Sequence, residues 1–168
     1  MRVDPHASRV VVTTKPIGVL ASVGHDLQIE APIEQGSSDD GETLRATFVV
    51  ARMKVVKSAR HGSDKWKTPD AKDAADVESR IRDQVFAGVR EVVVTGELAG
   101  ATATITVRAR LEQTVHASVH VERDGVVRVR GRVDLSLEAL GCGQVHVPLG
   151  AMKLADAVDV TFEVELGA

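Results

Sequence analysis

Few side chains in this sequence have the types and spacing to do chemistry. His25 and Asp26 stand together in Gly24-His25-Asp26. A histidine placed there can bond a ligand's head group; in a plain turn, Asp26 would cap local backbone amides and leave His25 half exposed. Cys142 and His146 have the spacing of a loop that grips a metal ion, with His25 or His61 needed as a third ligand. Cys142 as a nucleophile would also need an adjacent base and oxyanion donors, and no strand-turn-helix context surrounds it. These residues define an alternative function, a metal-binding or small-molecule enzyme or sensor using Cys142, His146 and His25. His116 and His120 would share one face of a strand, but four residues of strand hold them about 13 Å apart, too far to chelate one ion. Trp66, between Lys65 and Lys67, is a lone aromatic among cations, suited either to transient contact with an anionic membrane surface or to capping a barrel end.

The elements that position these residues are strands. Apolar and polar residues alternate over Thr104–Glu112, Val115–Glu122, Val127–Glu138 and Val158–Leu166, the period of a sheet with one dry face. Arg123-Asp124-Gly125 reads as a hairpin turn between two of these runs. Earlier strands are expected at Ser8–Thr14, Asp26–Pro32, Leu44–Val56 and Val92–Leu98. The apolar phase flips at Val50-Ala51, which predicts a β-bulge bending that long strand around a barrel corner. Asp73–Ala87 is the clearest helix, with Val77, Ile81, Val85 and Phe86 on one stripe, Asp70 or Asp73 as its cap and Gly88 as its stop. A short helical turn is expected at Ile17–Val23, and Gly36–Gly41 reads as a polar mobile loop.

Composition narrows the function classes. The 168 residues carry a net charge of −3, 29 valines, one cysteine and no tyrosine, and aromatics make up 2%. One cysteine excludes an internal disulfide framework. The acidic balance and the shortage of aromatics argue against a nucleic-acid partner. The row Arg128, Arg130 and Arg132 is read as a solvated outer face. Eight antiparallel strands with one dry side close best into a barrel, whose interior is either filled or holds one small ligand. A lumen lined by valine, alanine and leucine is harder to fill than one lined by aromatics.

Several landmarks in order resemble the YceI-like family. Arg2-Val3-Asp4-Pro5-His6-Ala7-Ser8-Arg9-Val10 is similar to its opening, and Gly18 to Leu27, through Gly24-His25-Asp26, to its second landmark. Asp73–Phe86 sits where the family carries a helix, Thr95-Gly96-Glu97-Leu98 matches its central strands, and Pro148–Val158 is similar to its closing pattern. Leu140-Gly141-Cys142-Gly143 stands where members usually carry an aromatic. The resemblance spans nearly the whole chain, 1–168, as a single domain. It implies an all-β, lipocalin-like, eight-stranded antiparallel barrel with one helix near its mouth. It also implies a carrier or store that binds a long-chain amphiphile (a polyisoprenoid, isoprenoid quinone or fatty amide) without catalysis and without a cofactor.

On that reading the ligand contacts are expected from Phe48, Val50, Ile81, Phe86, Val94, Ile105, Val107, Leu111, Val133 and Phe162, with His25 at the head group. Burying ten methylenes is worth up to about 8 kcal/mol, and the entropy of association brings this down to micromolar or weaker binding. The N-terminus shows no apolar leader, which predicts a cytoplasmic location, or a periplasmic one if a leader has been removed. A monomer or homodimer is expected.

Overall fold

The computed structural model describes residues 1–18, 24–143 and 153–167. His146 and parts of two family landmarks, 19–23 and 148–152, lie outside the described residues. The valine-rich alternation becomes eight barrel strands, three of them bent into two segments. β1 comprises Arg2–Val3 and Arg9–Thr14, β2 His25–Glu30 and Ile33–Ser38, and β3 Thr43–Val49 and Lys54–Arg60. β4 to β8 are Glu91–Ala99, Thr102–Arg108, Glu112–Asp124, Val126–Ser136 and Ala157–Gly167. Each strand pairs antiparallel with the next, and β8 pairs back with both segments of β1, so the eight strands form a closed up-and-down barrel.

The alternation sends apolar residues inward. Along β8, Val158, Val160, Val164 and Leu166 are buried, while Asp159 and Glu163 face outward. Those outward acids meet the arginine row of β7. Arg128 pairs with Glu165, Arg130 with Glu163 at 3.0 Å, and Arg132 with Asp159. The row is thus the outer face that its phase predicts, laced by cross-strand ion pairs. The hairpin turn at Gly125 forms as expected, with Gly125 at φ +72°.

At four places the structure departs from the pattern reading. Leu44–Val56 is not one bulged strand: a 3-10 turn, Val50–Arg52, breaks it at the phase flip. The first segment of β3 pairs with β2 and β4, whereas the second pairs with β2 alone. Gly36–Ser38 is strand rather than mobile loop, because the end of β2 must pair with Arg2 to complete the ring. Ser38 is buried there, its hydroxyl accepting the Gly41 N–H at 2.8 Å. Ile17, the first residue of the expected helical turn, is extended and pairs with Lys153; 19–23 of that turn lie outside the described residues. Finally, β5 stops at Arg108, and Ala109–Leu111 turn into β6, with the Ala109 N–H donating to the Leu111 carbonyl at 3.0 Å.

The helix falls where its stripe places it. α1 spans Ala71–Arg80, and of the two candidate caps Asp70 is used, its carboxylate accepting the Lys72 N–H at 2.8 Å. The helix runs on through one π-helical turn, Ile81–Val85, before Ala87 (φ +36°) and Gly88 (φ +94°) redirect the chain. α1 covers the edge of β3 that lacks a strand neighbour. Glu78 accepts the Val55 N–H at 3.0 Å and pairs with Lys54 at 3.2 Å. Ser58 exchanges two 2.9 Å backbone bonds with Lys67. An edge that would otherwise invite pairing is thereby closed.

Two glycines permit close approach across the wall. A Cβ on Gly36 would overlap the Val3 side chain, and one on Gly131 would lie 2.5 Å from Phe162 Cζ. At Gly96 a Cβ meets nothing within 4 Å. Gly36→Ala and Gly131→Ala are therefore expected to lower unfolding free energy by about 1–3 kcal/mol through overpacking. Gly96→Ala is expected to stay within about 0.5 kcal/mol of the parent. Urea titration of the three variants checks this ranking.

Candidate functional site

The inward faces leave a hollow in the barrel. It has a volume of about 190 Å³ and an almost wholly apolar lining drawn from every strand but β6 and from Phe86. Its polar residues, Ser38 and Glu42, sit at the end where β2 turns into β3. Valine dominates the wall, so the core closes around the space without filling it. Both lining phenylalanines of the strands, Phe48 and Phe162, are flanked by small residues: Phe48 pairs with Val92 and Phe162 lies across from Gly131.

A second cavity of about 570 Å³ lies under α1. Its floor is Leu27, Ile29 and Val55 from β2 and β3, and its cover is Val77, Ile81 and Val85 from α1 and the π turn. At β1, β2 and β3 the two linings adjoin: Thr14 of the cleft lies two residues from Val12 of the lumen, Ile29 two from Ala31, and Val55 two from Met53. Val12 and Thr14, two apart in β1, share its inward face, so the two spaces adjoin there. Val85 faces the cleft and Phe86 the lumen. The cleft rim carries both signs, with Lys67, Arg80 and Lys153 against Asp70, Asp73 and Asp76.

The residues singled out in the sequence divide among these places. Phe48, Phe86, Val94, Ile105, Val107, Val133 and Phe162 line the lumen. His25 and Ile81 line the cleft. Val50 is buried at the corner in the same apolar core, its N–H bonded to the Arg90 carbonyl at 2.9 Å, but it does not reach the lumen surface. Leu111 is a correction. It is 56% exposed and lies outside the barrel, because the alternation that put it inside was carried past the end of β5. Its N–H donates to Leu140 at 2.9 Å and its side chain lies over Gly141.

Asp26 does not cap a turn. It is a buried strand residue whose carboxylate lies 2.6 Å from Nδ1 of His61. Thirty-five residues separate the two, and only the pairing of β2 with β3 (Asp26 opposite Ala59) brings them together. This pair was not legible as a unit, although His61 and Asp26 each stood out by type. His116 and His120 are exposed and bond their own neighbours, Thr104 at 3.2 Å and Glu122 at 3.3 Å. Among the described residues no three His, Cys, Asp or Glu side chains gather as a metal site.

Cys142 sits half-buried, its thiol 4.0 Å from the Leu140 carbonyl. Burial raises its pKa above the ordinary thiol value, and Arg110 only partly offsets this. The thiolate needed for nucleophilic or metal chemistry is thus disfavoured. The flanking glycines have a packing reason instead. Gly141 takes φ +68°, and a Cβ on Gly143 would lie 2.6 Å from the Gln84 carbonyl oxygen.

The fold and its apolar hollow define a lipocalin-like barrel. No family model matches the chain, and no curated protein matches it in sequence. Among solved structures it is similar to BcnA of Burkholderia cenocepacia, with a TM-score of 0.60 over 97% of this chain and 98% of that chain, at 15% identity. A likeness at that identity is one of fold. Among the described residues no helix is long and apolar enough to cross a membrane.

The Cys142 environment yields a direct expectation. Its alkylation by iodoacetamide at pH 8 should run several-fold slower than that of a small free thiol and reach the free-thiol rate in denaturant. A native rate equal to or above the free thiol's would show that the thiol is activated.

Proposed function

We propose that the protein binds a hydrophobic amphiphile, its apolar part in the lumen and its polar part toward the cleft, as a carrier or store rather than a catalyst. The observation that carries this reading is the almost wholly apolar hollow of about 190 Å³ inside a barrel small enough to have been filled. Empty apolar space in a core forgoes dispersion contacts along its whole lining, and a bound hydrocarbon restores them. The order of landmarks along the chain and the likeness in fold to BcnA support reading it as a YceI-like barrel.

The head group's surroundings favour an uncharged or zwitterionic polar end. The cleft rim offers three cations and three carboxylates, with His25 beside them. A long polyisoprenoid or isoprenoid quinone would have to occupy both spaces, since the lumen alone lies below the roughly 300–1,000 Å³ of typical ligand pockets. Lys65 and Lys67 are exposed on either side of half-buried Trp66, and Lys67 lines the cleft. This end of the barrel suits transient contact with an anionic lipid surface during loading.

Val107 is buried in the lumen wall. Val107→Trp should abolish uptake of hydrophobic ligand from a lipid extract while far-ultraviolet circular dichroism stays that of a β protein. Uptake equal to the parent's by a folded Val107→Trp variant would overturn the lumen as the site.

A further inference from the structure

The lumen is bounded at both ends by packing that the backbone fixes. At one end Val3 lies on Gly36, and Leu166, opposite Val3, is 2% exposed. At the other end Phe86 lines the space beside the cleft, and the segment carrying it is tied on both sides. The Gly143 N–H donates to the Val85 carbonyl at 2.8 Å, and Arg110 donates to the Ala87 carbonyl at 2.6 Å. Midway, the ring of Phe162 lies against Gly131, the one strand position opposite it that leaves room for the ring. Between these limits the volume is about 190 Å³.

An apolar cavity of about 150 Å³ holds one six-carbon ring. We propose that the lumen is a short-chain chamber that admits only the last six to eight or so carbons of an apolar chain, with Phe162 setting the limit and everything beyond lying in the cleft past Val85. This inference rests on the lumen-binding reading and narrows it: the ligand has a short apolar end, or a longer chain of which only the end is enclosed. Within the chamber each added methylene is fully buried. Beyond it, a methylene enters a cleft whose rim is charged and gains much less.

Calorimetric titration of the full chain with straight-chain primary amides of about four to twelve carbons tests this. Affinity should rise about fourfold per carbon up to six to eight carbons, and then level off. Phe162→Ala should move the break at least two carbons longer. Phe162→Leu, which keeps the wall packed, should move it by less and covers the case in which the alanine variant does not fold. A fourfold rise continuing unbroken to twelve carbons, or one break point shared by the parent and both variants, would overturn the length limit while leaving lumen binding in place. No binding at any chain length would remove the lumen-binding reading itself.

Discussion

The structure depends on closure of the ring by two residues. Arg2 and Val3 pair with Gly167 and Leu166 of β8 on one side, and Arg2 meets Ser37 of β2 on the other. The amino terminus adds a 2.9 Å bond to the Ser38 carbonyl, and Ser38 returns one of 3.0 Å to Met1. Without this short segment, the Leu166 end of β8 and the Ser37 end of β2 would each present an open edge, although Arg9–Thr14 would still join β8 to the start of β2. Gly36 makes the closure tight, since a larger residue there would hold Val3 away from the wall. The continuous apolar wall of the interior follows from that contact.

The same ring is deliberately incomplete at its other end. The corner at Val50–Arg52 turns the second segment of β3 away from β4, leaving an edge that α1 and Lys67 cover with side-chain and backbone bonds. This divergence is what makes room for the cleft. The helix therefore serves as both plug and wall: Asp70 starts it, Glu78 ties it to β3, and its π turn delivers Val85 to one space and Phe86 to the other. π turns of this kind insert a residue into a helix and are often found at functional sites. At the β7–β8 connection, Asp156 accepts from Ser136 at 2.7 Å and from the Glu138 N–H at 2.7 Å, which holds its carboxyl below the ordinary value.

Much of this was legible in the sequence, for a physical reason. Strand alternation has a period of two, so each long run declared its dry face, and six residues read from it line the lumen: Phe48, Val94, Ile105, Val107, Val133 and Phe162; Phe86, read from the helical stripe, lines it too. The helix declared itself by its four-residue spacing. What alternation could not show is where a strand ends. Leu111 continued the phase of Val107 but lies past the last paired residue of β5. Composition misled at Gly36–Ser38, where a polar stretch is strand because a distant partner, Arg2, requires it. The Asp26–His61 pair is long-range by nature, and only strand pairing reveals it.

The central claim is that the interior exists to be occupied. Native mass spectrometry of freshly purified protein, followed by solvent extraction and mass analysis of what is released, tests it most directly. The account predicts a bound, hydrocarbon-rich species of a few hundred daltons that is lost on extraction. A clean apo mass, unchanged after incubation with isoprenoid quinones and with fatty amides, would contradict it and leave a hollow barrel that acts through its outer surface.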